Sequence, residues 1–410
     1  MVGVAFVVDF IAVGFFFYSF GVFLKEIAAD LETSRMNVSM GISISNFVGA
    51  VAAPFIGRSL DRRSIRGIMI AGAFIVGAGF ALLSRVEVVW HYYVVLGSFL
   101  AFGMSMMGGL ASSKLVANWF DARRGTALGI ATMGVSLSGL LMPAVATWLV
   151  ANMGWRDGFL CYAAATVVVV VPLVARFVVN RPEELGLRPD GEPHDETSTG
   201  PGFIDEHVWR TRDILRSANF WAIAVPFSLV FSALSAVLTH LVAYADDLGI
   251  ASYRAAWVLS LSAGVGVLGK VSFGWLVDRI DPRFAIWSSF LSQTLGLLLL
   301  MQDGYAYLLA GGVVFGFGMG GVIPLHGAVA GRAFGRLSFG KVMGLLRPVQ
   351  VPVHAIGIPL AGWLYDRNGN YDLAFEIFVG VYVGASALIV LLKPGPSKRP
   401  RARRSEDARE

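Results

Sequence analysis

Twelve apolar runs, each long enough to span a bilayer, follow one another along the chain with short polar breaks between them. They cover approximately residues 4–24, 38–57, 66–84, 90–117, 126–151, 158–179, 218–243, 255–277, 284–301, 305–330, 341–364 and 373–392. A helix needs ~20 residues to cross a hydrocarbon core of ~30 Å. Open strands would leave backbone groups unpaired in lipid, so each run is expected to be a transmembrane helix. The expected fold is an all-α integral membrane protein of twelve transmembrane helices. The first run is too long for a secretory signal, lacks a basic n-region and shows no A-x-A cleavage site, so it reads as the first span.

The polar breaks carry a repeat. Gly57-x-x-x-Asp61-Arg62, between the second and third spans, returns 217 residues later as Gly274-x-x-x-Asp278-Arg279 between the eighth and ninth. Phe102-Gly103-Met104 matches Phe317-Gly318-Met319, Gly125-x-x-x-Gly129 matches Gly340-x-x-x-Gly344, and Pro143 with Trp148 matches Pro359 with Trp363. The chain therefore divides into two pseudo-symmetric six-helix halves, residues 1–179 and 218–392. Parallel repeats of this kind are related by an axis along the membrane normal, with a substrate path between them. Residues 180–217, rich in Pro, Glu, Asp and Arg, form the expected linker. Residues 393–410 form a basic, Pro-rich tail, expected to lie disordered on the membrane surface.

Composition agrees with burial in lipid: 56% of residues are hydrophobic, 15% are charged, and the mean hydropathy is +0.66. Charge adds an orientation. Of the 33 Lys and Arg residues, Lys25, Arg35, Arg85, Arg156, Arg254 and Arg367 fall on one side and Lys270 and Arg347 inside helices. The remaining 25 lie on the side of the hinges, linker and tail. The positive-inside rule makes that side cytoplasmic, with both termini, in a multi-pass protein of the inner (plasma) membrane. This asymmetry accounts for the basic pI, so no nucleic-acid partner is invoked. The single cysteine, Cys161, lies in an apolar run and reads as a buried, inert thiol.

Ionisable groups inside a bilayer are costly and therefore informative. Lys270 lies eight residues before Asp278, about 12 Å along a helix at ~1.5 Å per residue. Arg347, Gln350 and His354 follow one another at i, i+3 and i+7 on one face of a helix that Pro348 and Pro352 interrupt. Two interior cations suit an anionic substrate, which they would hold by charge-assisted hydrogen bonds where little water competes. The bland alternatives are a lysine snorkelling to the headgroups and an arginine at the interface. Asp9 is the proton-coupling candidate, or else an ordinary residue near a helix end. His240, His326 and His354 could relay protons or simply pack. Ser112 could bind substrate or bond back to its own helix. Asp61, Arg62, Asp278 and Arg279 are read as a gate whose charges pair across the halves in one conformation and part in the other.

The repeated hinge resembles the signature loop of the major facilitator superfamily. The stretch from Asn118 to Arg156, NWFDARRGTALGIATMGVSLSGLLMPAV followed by GWR, is similar to the corresponding motif of the monocarboxylate transporter family. The segments Tyr18 to Ile27 and His240 to Gly249 are similar to bacterial members, among them oxalate–formate exchangers. The resemblance covers almost the whole chain. It implies a carboxylate contact from the eighth span, where relatives use arginine and this chain has Lys270. In the exchangers it adds a lysine on the eleventh span, a role open here to Arg347 or His354. Tyr18 stands where animal members carry a proton-linked lysine, and the family's Asp-Gly-x-Trp motif before the first span is missing.

The expected function is secondary transport of a small organic anion, a monocarboxylate, by alternating access, with proton symport and anion exchange both open. A drug or metabolite exporter of the same fold is the alternative, and a transporter-like membrane sensor is a third reading. An enzyme is not expected: there is no His-x-x-x-His pair, no Gly-x-Ser-x-Gly elbow and no nucleotide-binding loop. No cofactor and no metal site are expected. The expected partners are the substrate anion, protons and lipid, with the chain acting as a monomer.

Overall fold

The computed structural model describes residues 1–191 and 208–393. The middle of the expected linker and nearly all of the expected tail lie outside the described residues. The described residues are almost wholly helical and contain no strand.

The first expected span is α1 (Val2–Val13), a π-helical turn (Gly14–Tyr18) and α2 (Phe20–Asp30), bent by 41°. The Ser19 hydroxyl donates to the Gly14 carbonyl at 3.0 Å and shares a 2.7 Å hydrogen bond with Tyr162. The Gly14 carbonyl also accepts from the Ser19 backbone N–H at 3.0 Å, so the turn stays hydrogen-bonded where the helix bends. Next come α3 (Arg35–Arg62) and α4 (Ile65–Leu83). The fourth span is made of α5 (Val89–Val95), a π turn (Leu96–Leu100), α6 (Ala101–Met107) and α7 (Gly109–Trp119).

A single run of helix, α8 (Arg124–Ala165), covers the fifth expected span and much of the sixth. Gly154, at φ +80°, breaks it where an L side chain would be strained. The sixth continues through a π turn (Thr166–Val170) into α9 (Val171–Phe177). After the short α10 (Thr211–Arg216) come α11 (Ala218–Asp247), α12 (Ser252–Arg279), α13 (Pro282–Leu300), α14 (Tyr305–Phe334), α15 (Phe339–Asn368) and α16 (Asp372–Leu388).

Among the described residues nine helices are long and apolar enough to cross a membrane, or ten with the bent first pair. The expected twelve would also need the α8 run divided at Gly154 and α15 counted as a span, a helix with three interior prolines and a polar face that is not among the nine.

The two hinges confirm the repeat in backbone detail. Each separates its helices by two residues, and the first of these has nearly the same extended conformation in both: φ −117°, ψ 175° at Arg63 and φ −115°, ψ 175° at Ile280. A side-chain oxygen then caps the next helix. Ser64 accepts from Gly67 N at 3.2 Å, and Asp281 accepts from Arg283 N at 2.9 Å with Pro282 opening the helix.

Two large apolar cores fill the interior. One draws on residues from Val4 to Val178, including Phe23, Phe80 and Tyr162. The other lies chiefly between Ile214 and Leu392, including Phe227, Phe290 and Tyr382. Between the cores, α3 crosses α15 and α8 crosses α12. Glycines allow the approach. A Cβ on Gly340 would sit 2.6 Å from the Gly57 carbonyl oxygen, and one on Gly274 would run into that of Gly125. In lipid such close packing replaces the hydrophobic drive available in water.

Candidate functional site

At the hinge end of the two crossings, each hinge aspartate reaches the opposite half. Asp61 accepts from the backbone N–H groups of Gly340 and Lys341 at 2.9 and 2.7 Å, which open α15. Asp278 accepts from those of Gly125 and Thr126, both at 2.8 Å, and from the Thr126 hydroxyl at 2.8 Å, at the start of α8. A helix N-terminus offers unpaired N–H donors and a positive dipole end, which suit a carboxylate. The cross-half partners of the gate are therefore helix termini, where pairing of the hinge charges was expected. Arg279 packs over Trp275 of its own helix at 3.9 Å from the ring centroid, and Arg62 is exposed.

Asp61 also holds Lys114, with 2.7 Å between charged atoms and both side chains almost fully buried. The Lys114 ammonium donates in addition to the Arg336 carbonyl across the halves. Sequence reading counted Lys114 among the surface cations of the hinge side; its position near the end of an apolar run was the available signal. The linker stub adds further ties. Asp190 accepts from the N–H groups of Asp121, Ala122 and Arg123 at 3.1, 2.8 and 3.2 Å, and Glu183 pairs with Arg336 at 2.6 Å.

Deeper along the α8–α12 crossing lies Lys270, only 5% exposed. Its ammonium donates to the Thr132 carbonyl at 2.9 Å and to the Ser136 hydroxyl at 2.6 Å, both on α8 in the other half. Asp9 on α1 is 2% exposed, lies beside Ser112 and is within electrostatic reach of Lys270. One of its carboxylate oxygens, Oδ1, makes no hydrogen bond. The structure thus places Asp9, Ser112 and Lys270 together, in the packed seam between the halves.

The α3–α15 crossing is different at the corresponding depth. Arg347 lines a cavity of about 210 Å³ with Val351 on one side and residues of α1, α3, α6 and α7 on the other. Phe16, Phe17, Ser45, Asn46 and Met104 form much of the facing wall. The Arg347 side chain is exposed to this space and makes no hydrogen bond or ion pair with any described residue. It is also the one charged side chain among the described residues lining the cavity.

Gln350 and His354 continue along α15 behind Arg347. Gln350 is hydrogen-bonded to His326 at 2.9 Å, and His354 to Ser235 at 2.6 Å. Phe231 packs near both imidazoles, with ring centroids 6.1 Å apart in each case. His240 is instead tied to Tyr371 and to the Ile358 carbonyl, each at 3.1 Å. Tyr18 packs against Gly139 on α8 and is 41% exposed. Asn46 and Phe17 were not singled out from the sequence. A lone amide beside two serines in an otherwise apolar run was the signal for Asn46.

A larger cleft of about 550 Å³ lies between α12, α13 and α14, lined by Trp275, Leu276, Phe317 and other residues with no charge among them. Its Ser288 and Ser292 hydroxyls are spent on the Phe284 and Val314 carbonyls. It offers a solute little to recognise, whereas the Arg347 cavity offers an unpaired cation.

Comparison with known proteins places this architecture. Monocarboxylate transporter 13 of Rattus norvegicus is 27% identical over 379 residues, spanning 91% of this chain and 84% of its own. The MFS-type transporter YcxA of Bacillus subtilis (strain 168) is 24% identical over 393 residues, spanning 91% and 90%. The crystal structure of the human organic anion transporter MFSD10 (TETRAN) shares the fold, with a TM-score of 0.68, 16% identity and coverage of 95% and 97%. The family model described as Major Facilitator Superfamily matches residues 10–302 and 273–409. With paired Gly-x-x-x-Asp-Arg hinges, many apolar helices and these relatives, the chain is a multi-pass membrane protein that belongs to the Major Facilitator Superfamily.

Proposed function

We propose that this protein is a secondary transporter of a small organic anion, a monocarboxylate, and that Arg347 holds the anion in the cavity between the halves. The observation that carries the reading is the unpaired guanidinium. Inside a membrane protein such a charge is expensive unless a partner or water meets it, and here no described carboxylate does. A planar, bidentate donor also matches a carboxylate better than a lysine does. The similarity to transporters named for monocarboxylates supports the same substrate class.

Alternating access follows from the hinge end. The aspartate caps and glycine contacts close that end in this conformation, and both can part as rigid halves rock. The excess of Lys and Arg supports a cytoplasmic assignment for this closed face in an inner membrane.

Uptake of labelled pyruvate, benzoate, formate and oxalate into proteoliposomes, with tetraethylammonium as a cationic control, tests the reading. Carboxylate uptake with no movement of the cation is expected. Movement of the cation alone would favour the exporter alternative and end the anion reading. An imposed pH gradient separates proton symport, with Asp9 as the titrating acid, from anion exchange.

A further inference from the structure

The Arg347 cavity has more to recognise than a charge. Val13, Phe16, Phe17, Met104, Leu110 and Val351 give it an apolar wall. Phe17 is 45% exposed, although the π turn that carries it is packed on other faces through Phe15 and Phe16. Phe15 stacks on Tyr162 at 4.0 Å, so the turn is held while Phe17 is left to the open space. Single π turns within α-helices are frequent at functional sites.

Size and charge count narrow the cargo further. A volume of about 210 Å³, about seven waters at ~30 Å³ each, leaves room for a ring-sized body beside the guanidinium. Acetate or lactate would leave much of the apolar wall against water. A dicarboxylate would bring a second charge to a cavity with one cation among its described lining residues. Asn46 adds an amide and Ser45 a hydroxyl, both uncharged, while the Ser105 hydroxyl is spent on the Ala101 carbonyl at 2.9 Å.

Resting on the anion reading above, we infer that the preferred cargo is a monoanion with a ring-sized apolar body, its carboxylate on Arg347 and its body against Phe17. Phe17 is then a specificity-determining residue. It offers a ring face or edge to the substrate body and contributes nothing to the charge.

Isothermal titration of the purified full-length protein with benzoate, 3-phenylpropionate, acetate, lactate and succinate tests this. The expected result is binding of the two aromatic acids at least tenfold tighter than acetate or lactate, with succinate weakest. Phe17→Ala should lower benzoate affinity about tenfold and leave acetate within twofold. Phe17→Leu, which keeps an apolar side chain there, should fall between, and an unchanged melting temperature shows that the variants fold. Equal affinity for benzoate and acetate, abolished in both cases by Arg347→Gln, would overturn the preference and leave the anion site standing. Binding of every carboxylate unaffected by Arg347→Gln would remove the site and the preference together.

Discussion

The α3–α15 and α8–α12 crossings begin alike. Each starts at a hinge aspartate capping a helix of the other half, and each continues through glycines that let backbone meet backbone. About two turns further in they diverge. On α12 the interior cation is consumed by the protein: Lys270 gives its ammonium to a carbonyl and a hydroxyl of α8. On α15 the interior cation faces an open cavity and has no such partner. Duplication explains the likeness of the ends, since both halves must open and close together. The difference in the middle is what supports the proposed anion site on α15, because a path between symmetric halves needs only one charged wall to orient an anion.

The largest expected effect lies on the open side. Arg347→Gln should lower carboxylate uptake at least 100-fold in proteoliposomes. A charge-assisted hydrogen bond is worth about 1.5–3 kcal/mol, and ~2.7 kcal/mol corresponds to a hundredfold change. Arg347→Lys should restore part of the activity, since it returns the charge without the fork. Uptake unchanged in the glutamine variant would erase the distinction between the crossings.

On the closed side the effect should be structural first. Lys270→Met removes two cross-half hydrogen bonds and leaves Asp9 buried without its neighbouring cation. The melting temperature should fall and uptake slow about tenfold. Adding Asp9→Asn should recover part of the melting temperature, because the stranded charge is then gone. A double variant less stable than Lys270→Met would show that Asp9 and Lys270 do not compensate each other.

The smallest effects concern the shared ends. Asp278→Asn should weaken closure of the hinge face by about 1–2 kcal/mol, a 5- to 30-fold population shift, and Lys114→Met with Asp61→Asn, which removes the buried Lys114 charge along with its partner, should do the same at the other hinge. Spin labels at Arg63 and Leu337, with Cys161 replaced, would show the longer-distance population growing both in Asp278→Asn and in the Asp61→Asn, Lys114→Met double variant. Two responses within about twofold of each other support a symmetric latch. A response to one alone would make the repeat decorative at this end.

Much of this was legible in the sequence because it is periodic. Apolar run length located the long helices, and the recurrence at 215 to 217 residues located the two hinges. Arg347, Gln350 and His354 could be placed on one face by spacing alone. Partnership was not legible, because it depends on which helix lies opposite. Lys270 and Arg347 look alike along the chain, and only the facing residues, Thr132 and Ser136 in one case and Phe17 and Asn46 in the other, separate them. The gate shows the same limit: a carboxylate capping a distant helix leaves no local signature, so only pairing of the hinge charges across the halves could be read from the chain. The break at Gly154 and the polar face of α15 likewise blur the span count, since helix length and apolarity are properties of whole segments.

Equilibrium binding of benzoate to the purified protein, compared between Arg347→Gln and Lys270→Met, tests the central claim most directly. The account predicts that Arg347→Gln loses binding at least 100-fold while Lys270→Met keeps its Kd within about threefold. Loss of binding in Lys270→Met with retention in Arg347→Gln would contradict it and move the anion to the α8–α12 crossing.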